Sequence, residues 1–501
     1  MILVRDMTPV TAVTPQADVC LIAEGCYPYV SGGVSSWMDW LIRSQPHLTF
    51  SVLAILPGKP QGAARYAAPV NLVGIQHLML DDCTIGGVPQ WPDMDPDWFA
   101  EQLLTMMGTG DLVGLGMLLD KLGQPHRRPT MQTLLDTPQA WAAVCRCYQS
   151  MPQTSFVGYF WAWRTLVGGL LRTLITPLPP ARIYHAVSTG YAGLVSARAT
   201  LETGRPSIIT EHGIYSNERR IELLMADWIV NSIDTGMDFS DERRDIRDFW
   251  AGAFESFART AYTAAEEVIA LYADNNGIQA SLGAPVEKLR VIPNGVDLAR
   301  FQNLPARKST QPTIAFIGRV TPIKDVQTFI DVAEKIAREV PGLRALIIGP
   351  MDEDPDYAQE CVYAVQRRGL GHVVTFTGPV DVRDYFNEID VLVLTSISEA
   401  QPLVILEAGA AGVPCVATDV GACREILQGH GGSLGDSQLA PGGLIAPVGD
   451  TNGIANAVTT LMKDRQRRHA CGKALRERVR TTYASQTIAN AYTDLYARHA
   501  N

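Results

Sequence analysis

Residues 396–419 read SISEAQPLVILEAGAAGVPCVATD, and they carry two glutamates, Glu399 and Glu407, eight positions apart. Pro402 suits the first position of a helix, Leu403, Ile405 and Leu406 give that helix its apolar filling, and Gly412 with Pro414 stops it. The apolar runs 390–395 before it and 413–418 after it read as buried strands, so the stretch is a strand–helix–strand unit of a parallel sheet. Such a helix starts at the carboxyl end of a strand, where unpaired amides and the positive helix end hold an anion. A phosphate belongs near Gln401, Pro402, Leu403 and Val404. Glu399 then lies in the loop ahead of the helix and Glu407 inside it, so the two carboxylates bracket the anion site.

A carboxylate beside a phosphate needs another task, either accepting hydrogen bonds from sugar hydroxyls or stabilising a developing cation. A nucleotide sugar offers both. In this setting Glu399-x7-Glu407 resembles the paired-glutamate motif of the retaining glycosyltransferases of family 4. The resemblance implies the GT-B fold, an α/β architecture of two Rossmann-like domains facing a cleft. It also implies that Glu399 faces the donor sugar and that Glu407 binds the ribose of the nucleotide.

A chain of 501 residues exceeds one ordinary core, so two domains are expected. A net charge of −10 argues against nucleic acid as a partner, and no long basic run offsets it. The nine cysteines are scattered, with Cys145 and Cys147 the only close pair, which fits reduced cytosolic thiols. The first fifteen residues lack the apolar core of a signal peptide, and no long uncharged apolar run follows, so a cytoplasmic protein is expected.

Along the chain, 18–24 reads as a strand, followed by a loop with Gly32 and Gly33 and an amphipathic helix pattern from 35 to 42. Two glycines permit close backbone approach to a ligand, but no G-x-G-x-x-G fingerprint of a dinucleotide dehydrogenase is present. By resemblance, this loop meets donor or acceptor. The stretch 58–180 departs from regular strand–helix alternation and predicts an inserted helical subdomain. Within it, 156–175 carries Phe156, Phe160, Trp163, Val167, Leu170 and Leu174 at helical spacing, a stripe expected to pack inside.

Two strands, 181–187 and 206–210, end at His185 and at Glu211-His212, all three candidates for contact with a substrate hydroxyl or a departing diphosphate. Relatives in the resembled family carry His-x-His at the first of these ends; here Val187 takes the second position, and Glu211 and His212 are candidates for its work. Arg219 and Arg220 sit in a charge-rich stretch read as a solvated helix face. NGVD at 294–297 is a turn by chemistry, and the polar stretch 298–312 is read as the hinge.

A second Rossmann-like pattern then begins. Arg319 and Lys324 follow the strand 313–317, where two cations can neutralise a diphosphate without a metal, as the resemblance also implies. Asp352-x-Asp354 imitates a metal-binding DxD, but carboxylates ahead of a helix starting near Pro355 are more simply caps. By resemblance, Val380 lines the nucleotide base. The expected boundaries are 1–303 for an acceptor-side domain, 304–483 for a nucleotide-sugar domain and 484–501 for a terminal helix packing back on the first domain.

The strings TEHGIYSNERRIE, IIGPMDEDPDY and SISEAQPLVILEAG resemble an exopolysaccharide-synthesis branch of this family. The resemblance implies a UDP-sugar as donor substrate, no separate cofactor or metal, a polysaccharide acceptor, and inner-membrane synthase proteins as partners. Two other readings fit the same fold: a nucleotide-sugar epimerase, and a non-catalytic nucleotide-sugar-binding subunit of a membrane synthase.

Overall fold

The structure is a computed structural model that describes residues 16–30, 32–60, 62–81, 88–123, 128–150, 155–216, 246–307, 310–429 and 439–500. Arg219 and Arg220 and the first fifteen residues lie outside that set. The chain divides into two compact units, one of Met1–Ala270, Asn275–Arg290 and Thr493–Asn501, the other of Leu271–Asp274 and Val291–Tyr492.

The first unit is built on β1 (Ala17–Glu24), β2 (Phe50–Leu56), β3 (Leu72–Met79), β4 (Ala181–Ala186), β5 (Ser207–Glu211), β6 (Glu267–Ala270) and β7 (Leu289–Val291). Their order in the sheet is 3-2-1-4-5-6-7, and β1 pairs in parallel with both β2 and β4. The order reverses between β1 and β4, which is where a parallel sheet of this kind opens a crevice at its carboxyl end. Helices α1 (Gly33–Ser44), α2 (Pro96–Gly108), α3 (Leu112–Leu122), α4 (Met131–Asp136), α5 (Pro138–Tyr148), α6 (Phe156–Ile175), α7 (Tyr191–Thr203), α8 (Ile246–Ala264) and α9 (Ala273–Ser281) follow in chain order.

The segment 58–180 is helical only from Pro96 onward; before that it supplies β3, paired in parallel with β2 along its length. Gly74, Gln76 and His77 break the apolar run there, because an edge strand is covered less completely than a central one. In α6 the stripe faces inward as expected: Trp163, Val167, Leu170 and Leu174 are fully buried, and Phe156 and Phe160 pack against the same core.

In the second unit β8 (Thr313–Ile317), β9 (Arg344–Ile348), β10 (Val374–Gly378), β11 (Val391–Leu394), β12 (Cys415–Thr418) and β13 (Gly443–Ala446) form a parallel sheet in the order 10-9-8-11-12-13. Side chains alternate between two cores, one on each face of this sheet. Val391 and Val393 enter one core while Leu392 and Leu394 enter the other, and Ala345 and Ile347 alternate likewise with Leu346 and Ile348. Both faces are covered by α10 (Val326–Ala337), α11 (Pro355–Arg367), α12 (Leu403–Ala411), α13 (Cys423–Gln428), α14 (Thr451–Lys463) and α15 (Arg465–Thr482). That coverage explains why these strands read as continuous apolar runs.

The chain enters the second unit at Val291, ahead of the polar stretch read as the hinge. Phe301 inside that stretch is buried in the second unit's core, and the Asn294 amide donates to Gln401 Oε1 at 2.6 Å. The last helix, α16 (Ser485–His499), contributes Thr493 onward to the first unit, where Arg498 pairs with Glu267 at 3.0 Å.

Candidate functional site

In the second unit the strand order reverses between β8 and β11, and the loops leaving these two strands are bonded to each other. Thr395 Oγ1 donates to the Asp325 carbonyl at 2.8 Å, and the Ile397 amide to the Ile323 carbonyl at 2.9 Å. Two glycines let neighbouring backbone close in. Gly349 has φ +147 and a Cβ there would meet the Gly318 carbonyl at 2.0 Å; Gly421 has φ +50 and a Cβ would meet the Glu399 carbonyl at 2.2 Å. A side chain at Gly349 would displace the loop that carries Arg319, and one at Gly421 the loop that carries Glu399.

Lys324 and Glu399 meet in this frame. The Lys324 ammonium donates to Glu399 Oε1 at 2.6 Å, and Ser396 Oγ donates to the same oxygen at 2.7 Å. Both partners are mostly buried. Glu399 Oε2 makes no hydrogen bond among the described residues, so the carboxylate keeps an acceptor in hand for a sugar hydroxyl.

Helix α12 starts at Leu403 with Pro402 as its cap residue, one position later than the sequence suggests, and among the described residues no side chain caps it. The amides of Leu403 and Val404 are therefore available to an anion at the positive end of the helix. The Gln401 side chain has a task within the fold. Its side-chain oxygen holds the Asn294 amide, which fixes the NGVD turn against the start of α12. The next turn is capped by Asp297, whose carboxylate accepts from the Ala299 amide at 3.0 Å, and it delivers Arg300 into electrostatic range of Glu407. Burial pushes the Glu407 carboxyl up, with Arg300 opposing and Asp381 assisting. Arg300 and Asp381 were not legible as site residues, since each sits in a polar loop with no motif. Val380, next to Asp381, is exposed just beyond the carboxyl end of β10.

Arg319 points elsewhere. Its guanidinium donates to Glu353 Oε2 at 2.6 Å, and both side chains are about half exposed, at 51% and 49%. An exposed pair of this kind is held by about 0–1 kcal/mol. Asp354, in the same DEDP stretch, accepts from the Tyr357 amide at 3.0 Å and caps α11.

In the first unit the candidates separate into distinct roles. His185 is fully buried, with Nδ1 on the Tyr496 hydroxyl at 2.7 Å and Nε2 on Thr210 Oγ1 at 2.8 Å. Both ring nitrogens are engaged within the fold, the structural role that is the alternative to substrate contact for a histidine at this strand end. Burial, then the neighbouring His212, drives its pKa down to about 3. Glu211 is also inside, accepting from Tyr262 at 2.6 Å, Gln279 at 2.9 Å and Thr189 at 3.0 Å. Burial raises its pKa against the pull of those donors. His212 differs: its ring lies edge-on to Trp37 with centroids 4.6 Å apart, and its Nε2 has no hydrogen-bond partner among the described residues. Its pKa is pushed down to about 4 by burial.

Glu24, at the end of β1, looks in sequence like the solvated end of an apolar strand. It accepts from the Ala192 amide at 2.7 Å and from the Tyr215 hydroxyl at 2.6 Å. It thus fills the amino end of α7 with the chain's own carboxylate. Gly32 and Gly33 are exposed, and a Cβ at either would meet nothing within 4 Å, so the chain's own packing does not demand glycine there.

Each unit is a doubly wound parallel α/β domain, and the pair is of the GT-B fold class. The family follows from the comparisons. Residues 17–287, more than half of the chain, match the family described as "Domain of unknown function (DUF3492)", and the chain belongs to it. Residues 311–464 match "Glycosyl transferases group 1".

Among curated proteins, a D-inositol 3-phosphate glycosyltransferase of Kineococcus radiotolerans is 29% identical over 233 residues, covering 43% of this chain and 53% of the relative. An alpha-maltose-1-phosphate synthase of Mycolicibacterium smegmatis is 25% identical, covering 64% of this chain and 79% of its own. The chain spans about half the length of the first of these. Among solved structures, sucrose-phosphate synthase from Thermosynechococcus elongatus superposes with a TM-score of 0.57 at 17% identity, covering 96% of this chain and 98% of that one. Anabaena HepE in complex with UDP gives 0.56 at 16%, covering 96% and 100%. Among the described residues no helix is long and apolar enough to cross a membrane.

Proposed function

We propose that this chain is a retaining hexosyltransferase that moves a hexose or N-acetylhexosamine from a UDP-sugar to a growing exopolysaccharide. The observation that carries the reading is the Lys324–Glu399 contact at 2.6 Å, set beside the uncapped start of α12, with Glu407 on the same helix. Lys324 and the amides of Leu403 and Val404 hold the diphosphate, Arg319 joins them once Glu353 is displaced, and Glu399 accepts from a donor-sugar hydroxyl. Glu407, kept partly buried, binds the ribose, and Val380 borders the base.

Retention follows from front-face substitution. The acceptor oxygen bonds to C1 as the bond from C1 to the phosphate oxygen breaks, and the acceptor proton passes to the departing phosphate. Two protein cations and the helix amides supply the charge stabilisation, so the reaction runs without a metal. The strings quoted above favour PelF, the transferase of Pel exopolysaccharide synthesis in the biofilm matrix. On that reading the protein works in the cytoplasm and meets its acceptor at the inner membrane through Pel synthase proteins.

The test is nuclear magnetic resonance of the product formed from UDP-sugar and an oligosaccharide acceptor. The same anomeric configuration in donor and product supports the proposal. An inverted product, or an epimerised nucleotide sugar formed without acceptor, refutes it.

A further inference from the structure

On the outer side of α1, in the first unit, an open cavity of about 570 Å³ is lined by Ser36, Asp39, Trp40, Arg43, Ser44 and Tyr66. Its volume is that of a small-molecule site. The helix spacing explains the grouping: Ser36, Trp40 and Arg43 or Ser44 recur on one face of α1, opposite the segment that carries Tyr66.

The lining combines aromatic rings with planar and hydroxylic hydrogen-bonding groups. Arg43 donates twice to Asp39, at 2.8 and 3.3 Å, and also to the Ala67 carbonyl of the opposite wall. Ser36 Oγ and the Tyr66 hydroxyl lie 3.1 Å apart. Tyr66 is held by the Tyr27 ring at a centroid distance of 5.4 Å, and the Tyr27 hydroxyl donates to Asp39 at 3.3 Å.

These groups restrict the ligand. An anion would face Asp39 and a cation would face Arg43, while a wholly apolar ligand would cover the ion pair without replacing its water. A neutral ring with one apolar face and several hydroxyls meets all of them: carbon–hydrogen bonds on the indole of Trp40, hydroxyls on Asp39, Arg43 and the two serines. The position is also informative. Trp40 lies about 10 Å along α1 from Gly33, and the Arg65 amide donates to the Pro28 carbonyl at 2.9 Å, tying the cavity wall to the glycine loop.

We propose that this cavity is a subsite for a neutral sugar residue of the acceptor chain, displaced from the end that is extended, which makes the enzyme prefer acceptors longer than a monosaccharide. The proposal rests on the transferase reading for its occupant, but its test has an arm that does not need turnover.

The experiment uses the full chain, with hexose and N-acetylhexosamine acceptors from monosaccharide to hexasaccharide, and compares wild type with Trp40→Ala, Trp40→Phe and Tyr66→Ala. Acceptor KM, acceptor-independent nucleotide release and quenching of tryptophan fluorescence by each oligosaccharide without donor are read out. Circular dichroism verifies folding. The subsite predicts that wild type binds the longer acceptors more tightly, and that Trp40→Ala raises KM for them about tenfold, a loss of about 1.4 kcal/mol. KM for the monosaccharide and acceptor-independent release stay the same, and Trp40→Phe keeps most of the preference.

Equal effects on short and long acceptors, or none on either, overturn the subsite. Should no donor be turned over, the transferase reading fails, yet the quenching arm still decides. Length-dependent binding weakened in Trp40→Ala and Tyr66→Ala supports the subsite, and its absence in wild type overturns it.

Discussion

Lys324 Nζ donates to Glu399 Oε1 across 2.6 Å, and the two side chains come from loops that follow different strands of one sheet. The contact joins the residue expected to neutralise a leaving group to the residue expected to orient the sugar. On the proposed function, a diphosphate arriving at α12 competes with Glu399 for the ammonium, and the freed carboxylate becomes an acceptor for sugar hydroxyls. Lys324→Ala should therefore lower turnover about 100-fold or more, while the thermal midpoint falls by only a few degrees. Steady-state kinetics with calorimetry on the same preparation checks this; full turnover in folded Lys324→Ala removes Lys324 from the mechanism.

Glu353 occupies Arg319 through an exposed pair, which makes it a competitor of the nucleotide. Glu353→Gln should tighten UDP binding by up to about fivefold, since the pair is worth no more than about 1 kcal/mol. Titration calorimetry decides: weaker binding in Glu353→Gln would mean that Glu353 helps to hold the ligand.

Glu211 collects buried donors from Thr189, Tyr262 and Gln279. Glu211→Ala leaves these groups unsatisfied and should cost about 3–5 kcal/mol in urea unfolding. Glu211→Gln should cost clearly less, because the amide oxygen still accepts. Its pKa is raised by burial, so between the ordinary glutamate value of 4.5 and the raised one the native chain holds a proton that the unfolded chain has lost. Over that window this group makes stability fall as pH rises.

His185 and His212 act in the opposite sense. With pKa values pushed down to about 3 and about 4, both stay neutral in the native chain while the unfolded chain takes up protons below 6.5. Stability from these two groups is fully present above 6.5 and is lost as pH falls toward 4, by about 1.4 kcal/mol per pH unit for each proton. Urea midpoints measured across that range should show the slope, and His212→Gln should reduce it by about one proton. An unchanged slope in folded His212→Gln would show that His212 is already charged in the native state.

The parts of the fold that sequence reveals are those set by local pattern. The β11–α12–β12 unit is visible because its strands are buried on both faces and its helix is bounded by Pro402 and Gly412. Strand β3 is hidden because an edge position tolerates Gly74, Gln76 and His77. The site divides in the same way. Lys324 and Glu399 follow predicted strands of one sheet, so their convergence is foreseeable from topology. The commitment of His185 is not, since its partner Tyr496 lies 311 residues away in sequence. Glu24 and Arg300 escape notice because their chemistry depends on which helix end or carboxylate the folded chain brings to them.

The central claim is that the second unit holds a UDP-sugar through Lys324, Glu399, the start of α12 and Glu407. Its most direct test is nucleotide release from a panel of UDP-, GDP- and ADP-sugars, with and without an oligosaccharide acceptor, for wild type and Glu407→Ala. Release from one UDP-sugar is expected, increased by the acceptor and lost in Glu407→Ala. Binding without release, or release that survives Glu407→Ala undiminished, would contradict it.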